Sequence, residues 1–294
     1  MEATGPQLGM GYQRRLTGWL LWSVTISSAV ASSAGVTSQS PVEDRPVKID
    51  RVSGPGYTSV FVENRRAYDV TVRLKITAAN ATVEWRTSET AAYAGHSRTE
   101  AVRVRSDDPR RAWQWRYSFR WTKGSIDARH DPRTLYRLPF ETGHTYRVCQ
   151  GYNGRFSHRG LDQYAVDFAM PEGTTVCAAR EGVVVDIKET SDTGGPEVKH
   201  KRDSNYVSIA HADGTIGEYH HLQFEGVLVE IGDRVAAGQP IARSGNTGYS
   251  SIPHLHFGVY SAANAEHMQS HPIAFNAAEG IVTDPRPPRA YTAE

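Results

Sequence analysis

Along residues 47–148 apolar and polar positions alternate with a period of two. Val70, Val72, Leu74 and Ile76 are interleaved with Thr71, Arg73 and Lys75. Trp113, Trp115, Tyr117, Phe119 and Trp121 are interleaved in the same way with Gln114, Arg116, Ser118 and Arg120. Successive side chains of a strand point to opposite faces, so each run offers one face to a core and one to water. Breakers at Gly54-Pro55-Gly56, Asp107-Asp108-Pro109 and His130-Asp131-Pro132 separate the runs. Several short alternating strands over about 100 residues predict an immunoglobulin-like β-sandwich. The aromatic ladder reads as the buried face of that sandwich rather than as a sugar-stacking platform.

From residue 149 onward glycines interrupt shorter runs, and nine of the twelve histidines lie from His158 on. Residues 183–187 read as a strand. Residues 205–210 and 215–222 flank Asp213-Gly214, a hairpin signal. Residues 227–231, 232–235 and 238–241 continue the β pattern, and no long 3.6-period segment appears, so the chain is expected to be all-β. Residues 194–204, with Lys199, His200, Lys201 and Arg202, read as a solvated hairpin tip, the alternative being a basic wall for an anionic substrate. The Pro/Arg-rich residues 283–294 read as a loose tail.

A length of 294 residues suffices for two ordinary domains, and a net charge of +1 gives no field that would favour nucleic acid or an acidic membrane surface. Arg14-Arg15 precede an apolar run that ends in Ala29-Val30-Ala31. This is the pattern of a secretory signal peptide over residues 1–31, followed by a linker over 32–46. The apolar run is shorter than the about 20 residues of a spanning helix, so export to the periplasm or cell exterior without stable membrane insertion is expected. In an oxidising compartment Cys149 and Cys177 could form one bridge. It would contribute about 3–4 kcal/mol; two separately buried thiols are the alternative.

The candidate chemistry centres on residues 244–257, a glycine-broken turn feeding a short strand with His254 and His256. Two positions apart in a strand, their imidazoles share a face at about 6–7 Å, while Leu255 and Phe257 face a core. A catalytic zinc needs three protein ligands and one open position. Residues of the right type are His158, an aspartate soon after it, and one of the strand histidines. Asp162 gives His-x-x-x-Asp and Asp167 a longer gap; spacing alone does not choose.

Several blocks, in order, resemble the lysostaphin/LytM-type zinc metallopeptidases, which cut peptide bonds in bacterial cell-wall peptidoglycan. These are Phe156-Ser157-His158-Arg159-Gly160, Asp167-Phe168-Ala169-Met170-Pro171-Glu172-Gly173-Thr174, Ala178-Ala179-Arg180-Glu181-Gly182-Val183-Val184, Asn205-Tyr206-Val207, Tyr219-His220-His221-Leu222, and Ser-Gly-Asn-Thr-Gly followed by Pro-His-Leu-His-Phe. The resemblance spans about residues 150–259. It implies a mainly antiparallel β-sheet peptidase domain with an open groove, here over residues 149–282, and one zinc ion per chain. The implied ligands are His158, Asp167 and His256, with His221 and His254 as catalytic histidines. Asp167 is preferred because an apolar pair, a proline and Gly-Thr follow it as in the family. The common form has its aspartate four positions after the histidine, where this chain has Asp162, the alternative carboxylate.

The implied chemistry is a zinc ion that polarises the scissile carbonyl and lowers the pKa of a water to about 7. One histidine takes the water's proton and returns it to the leaving amine, and the other stabilises the oxyanion; which does which is left open. Period two puts Tyr219 and His221 on one face and Glu218 and His220 on the other, and the Tyr-x-His-Leu resemblance selects His221. His200, His211, His220, His267 and His271 read as surface histidines, and Asn205 and Asn246 as turn residues. The implied partners are peptidoglycan peptides, with no nucleic acid and no indicated protein partner. Competing readings are an inactive LytM-like module that binds the wall or activates an amidase, a lipoyl-type carrier suggested by residues 232–239, and a non-haem iron(II) site using the same ligand types. The carrier lacks a lysine at the hairpin tip, and the neighbouring histidines favour zinc over iron.

Overall fold

Alternation over the first half of the chain builds two antiparallel sheets with a shared core. The structure is a computed structural model and describes residues 45–294. The expected signal peptide and nearly all of the expected linker lie outside the described residues. One sheet orders Val47–Gly54, Tyr57–Asn64, Arg98–Ser106 and Ala81–Trp85; the other orders Thr90–Tyr93, Val70–Ala79 and Gln114–Lys123. Asn80, at φ 55°, turns the chain from one sheet to the other, a left-handed position that asparagine tolerates. Val60, Val62, Val70, Val72, Leu74, Val102 and Val104 are buried between the sheets. Trp115 and Tyr117 are buried, and Trp113, Phe119 and Trp121 pack against the same core, as the ladder predicts.

The second half forms a nine-stranded antiparallel sheet. Its order is Arg234–Val235, Gly182–Lys188, Tyr206–Ala210, Ile216–His220, Leu255–Ala262, Val166–Ala169, Thr145–Gln150 and Ala290–Thr292, with Met268–Ser270 also paired to Leu255–Ala262. The predicted Asp213-Gly214 hairpin joins Tyr206–Ala210 to Ile216–His220, and Gly214 supplies a φ of 81°. One face of the sheet carries Val148, Phe168, Val207, Ile209, Tyr219, Leu255, Phe257 and Val259 into a core, shared with Val176, Leu222, Ile241 and Ala242 of a second, three-stranded sheet. Polar side chains gather on the other face. Helix is limited, among the described residues, to the 3₁₀ turns Gly160–Asp162 and Val198–Arg202, and no helix there is long and apolar enough to cross a membrane.

Two expectations are corrected. Residues 283–294 do not hang loose: Ala290–Thr292 pairs with Thr145–Gln150, and Tyr291 and Ala293 are buried in the core. The carbonyl of Pro285 lies so close to Gly151 that a Cβ there would sit 1.9 Å from it. Cys149 and Cys177 are unbridged. They lie on strands of different sheets, and the Cys149 thiol donates to the carbonyl of Asp167 at 3.4 Å.

The sandwich and the second unit meet over a buried ion network. Lys123, at the end of Gln114–Lys123, reaches Asp186 at 2.8 Å, Glu218 at 3.4 Å and Ser208 at 3.0 Å, between the rings of Tyr68 and Tyr206. Burial alone would depress the lysine pKa; the charges of Glu218 and Asp186 outweigh it and hold the ammonium above its usual range. Removing one member of such a network leaves uncompensated buried charge. We therefore expect Lys123→Met to destabilise the protein by about 3–5 kcal/mol, and the further changes Glu218→Gln and Asp186→Asn to restore most of the loss. Urea titration of the two variants checks this; a Lys123→Met protein as stable as the parent would refute it.

Candidate metal centre and active site

The register of three neighbouring strands sets out the polar face. Asp167 stands opposite His256, and His256 opposite His220, with Val166, Phe257 and Tyr219 at adjacent positions turned into the core. The third contributor, His158, comes from the loop after Thr145–Gln150 and is fully buried. Gln150 ties that loop to the sheet. Its amide nitrogen donates to Asp167 Oδ2 at 2.8 Å and to Ser157 Oγ at 2.8 Å, and its oxygen accepts from the backbone N–H of Phe156 at 3.0 Å.

His158, Asp167 and His256 converge. His158 Nε2 lies 3.1 Å from Asp167 Oδ1 and 3.2 Å from His256 Nδ1, and His256 Nδ1 lies 2.9 Å from Asp167 Oδ1. Among the described residues this is the group of histidine and carboxylate side chains whose ligand atoms lie close enough to hold an ion. His158 Nδ1 donates to the Gly151 carbonyl at 3.0 Å, leaving Nε2 with the lone pair. Donors of a tetrahedral zinc at about 2.0–2.2 Å stand about 3.4 Å apart, so a nitrogen, nitrogen and oxygen set at these separations fits the metal with little movement. Burial would raise the Asp167 pKa, but its contacts with the His158 and His256 rings and the nearby imidazole charges hold it well below the carboxylate range.

Asp162 is not in this group. It ends the 3₁₀ turn Gly160–Asp162, and burial pushes its pKa up. The four residues between the two aspartates carry the chain from this turn onto the sheet, where Asp167 takes the rung opposite His256.

His221 and His254 flank the group. Their ring centroids are 4.5 Å apart, and His221 lies 6.0 Å from His256. His221 Nδ1 donates to the Thr247 carbonyl at 2.7 Å; His254 Nδ1 donates to the Ile252 carbonyl at 2.8 Å and contacts Ser250 Oγ at 3.1 Å. Both rings are thereby held with Nε2 as the lone-pair nitrogen, and His254 Nε2 faces Asp167 Oδ1 at 3.8 Å. Burial, then the charges of His254 and His256, depresses the His221 pKa to about 3. Asn246 accepts from Ser250, and Asn205 bonds the backbone of Ser191, so both support turns, as expected.

Strand parity misplaces His221. Tyr219 is buried in the core, with its hydroxyl accepting from the Ala179 N–H at 2.8 Å. The strand ends at His220, and His221 takes a φ of 63°, which breaks the alternation and turns its ring towards His254. His220, read as a surface residue, faces His256 at 5.7 Å and Glu218 at 3.6 Å. His211 is also buried, its Nδ1 bonded to Thr215 Oγ1 at 3.0 Å. Residues 194–204 are no free hairpin tip: Gly194–Gly195 pairs in parallel with Gly248–Tyr249, and Lys201 lies 5.9 Å from the Tyr249 ring. That ring stacks at 5.2 Å on the exposed Phe156. Gln150 carried no signal in the sequence, because a single glutamine at a strand end marks no chemistry.

The second half of the chain is similar to known proteins. The profile of Peptidase family M23 matches residues 162–270. The chain is 30% identical over 155 residues to the glycyl-glycine endopeptidase ALE-1 of Staphylococcus capitis, covering 50% of this chain and 40% of that protein. It is 34% identical over 129 residues to the peptidoglycan DD-endopeptidase ShyA of Vibrio cholerae, covering 42% and 27%. Among solved structures, the catalytic domain of lysostaphin from Staphylococcus simulans is 30% identical with a TM-score of 0.31, covering 45% of this chain and 88% of that one. The chain thus spans between 27% and 40% of the length of these two curated relatives. Residues 162–270, which carry Asp167, His221, His254 and His256, thus form a domain of Peptidase family M23.

Proposed function

We propose that this chain is an exported zinc-dependent endopeptidase that hydrolyses peptide bonds in bacterial cell-wall peptidoglycan. The observation that carries the reading is the convergence of His158, Asp167 and His256 within hydrogen-bond distance of one another, with His221 and His254 beside them. One relative is a peptidoglycan DD-endopeptidase and another a glycyl-glycine endopeptidase, and both support peptide-bond hydrolysis in the wall. His158, Asp167 and His256 would hold the ion, which supplies Lewis-acid polarisation of the scissile carbonyl and a lowered pKa for the attacking water. His221 and His254, each with Nδ1 committed to a backbone carbonyl, present Nε2 to take a proton from that water and return it to the leaving amine. Asp167 orients His256 and holds negative charge at the centre of the cluster. All five side chains are present, which favours cleavage over an inactive wall-binding or amidase-activating module.

Zinc-loaded protein is expected to release free amines from purified peptidoglycan, with the cut bonds identified by mass spectrometry of the muropeptides. His158→Ala, Asp167→Ala and His256→Ala should each lose the zinc equivalent and at least about 100-fold in cleavage while keeping the β-rich circular dichroism spectrum. Asp162→Asn should keep its zinc at saturating metal. Retention of zinc by Asp167→Ala together with its loss from Asp162→Asn would reverse the assignment of the carboxylate ligand.

Metal binding must displace a proton from His256. Burial alone would lower the pKa of that ring, but the hydrogen bond and charge of Asp167 outweigh burial and raise it. Zinc affinity should therefore be full above this raised value and fall as the pH drops through it, by about tenfold per pH unit for one proton. Chelator competition between pH 8 and pH 5.5 measures the slope, and a flat profile would contradict it.

A further inference from the structure

His256 has a second nitrogen, and its partner is unusual. Nε2 lies 3.3 Å from the hydroxyl of Tyr260, four positions along the same strand. At about 3.3 Å per residue the two Cα atoms are about 13 Å apart, so the tyrosine can reach the imidazole only by lying back along the strand. Gly258, between them on the same face, makes this possible. A Cβ on Gly258 would sit 2.6 Å from Tyr260 Cε2 and 2.9 Å from the tyrosine oxygen. The backbone of Gly258 is not in the left-handed region, so what its missing side chain provides is the space the tyrosine ring fills. Tyr260 is 6% exposed, and the half-buried Asp162 is among the charged groups near its hydroxyl.

We propose that Tyr260, folded over Gly258, is the positioning residue of the metal centre. His256 Nε2–H donates to the Tyr260 oxygen, which leaves Nδ1 as the lone-pair nitrogen directed at Asp167 and His158. Partners of this kind fix the tautomer and orientation of a ligating histidine and raise its basicity.

The inference rests on the zinc-site reading and is tested apart from activity. Zinc affinity of the full chain is measured by competition with a chromogenic chelator for the parent, Tyr260→Phe, Gly258→Ala and Asp162→Asn, with thermal midpoints of the metal-free proteins as folding controls. We expect Tyr260→Phe and Gly258→Ala each to weaken zinc binding about 10–100-fold. Asp162→Asn, which leaves the contact of Tyr260 with His256 in place, should lose less. In ¹H–¹⁵N spectra of the zinc-loaded parent the His256 Nε2–H should be protected from exchange, and in Tyr260→Phe it should not. A Tyr260→Phe protein that binds zinc within twofold of the parent, with a protected Nε2–H, overturns the proposal. If one variant fails to fold, the affinity of the other decides. A parent that binds no zinc, or a His256→Ala protein that binds it as tightly as the parent, instead sinks the zinc-site reading itself.

Discussion

The centre of this molecule depends on one rung of an antiparallel sheet, the pairing of Asp167 with His256. Facing residues on neighbouring strands have Cβ atoms about 4.5–5.5 Å apart, close enough for a carboxylate and an imidazole to bond directly. The rung is held in register by its neighbours: Val166 faces Phe257 and Phe168 faces Leu255, and all four are buried on the opposite side. A slip of one residue would bring the charged pair into the core and the aromatics into the cleft. The hydrophobic core therefore sets the geometry of the polar site.

Around that rung the remaining groups are oriented through nitrogens and oxygens they do not need for chemistry. His158 gives Nδ1 to Gly151, His221 to Thr247 and His254 to Ile252. Each ring is thus fixed in one tautomer by a backbone carbonyl, and backbone carbonyls move only with the fold. His256 differs. Its outer nitrogen is met by a side chain, Tyr260, which reaches it across a glycine. Asp167 uses both oxygens, Oδ1 towards the imidazoles and Oδ2 towards Gln150, so the loop bearing His158 is held by the same carboxylate that His158 approaches.

Much of this was legible in the sequence where a local rule fixed it. Strands appeared where period two was clean, and the Asp213-Gly214 turn declared its hairpin because the turn needs a positive φ that Gly214 supplies. His254 and His256 stood out by alternation, while choosing Asp167 over Asp162 took the resemblance of the residues that follow it. Features that depend on contacts distant in sequence were not legible. Tyr291 gave no sign that it would close the core, since three residues in a Pro/Arg-rich segment carry no periodicity. The cysteines are few and even in number, which permits a bridge but says nothing of which sheet each strand joins. Parity misplaced His221 because a rule for strands does not survive the left-handed residue that ends one.

The polar face also explains why the sandwich belongs beside this site. Glu218 and His220 alternate on the same strand and share the face of His256, and Lys123 of the sandwich bonds Glu218, whose other oxygen lies 3.6 Å from His220. A carboxylate buried there alone would be costly to desolvate. Lys123 and Ser208 compensate it, and Gly124, at φ 87°, brings the chain close enough that a Cβ would meet the backbone of Ala262 at 3.2 Å. The sandwich thus covers the end of the sheet face beyond Tyr260, where the sheet's own side chains leave buried acids in need of a cation. Lys123 of the sandwich thus shares the charge balance of the acids on the sheet face that carries His220 and His256.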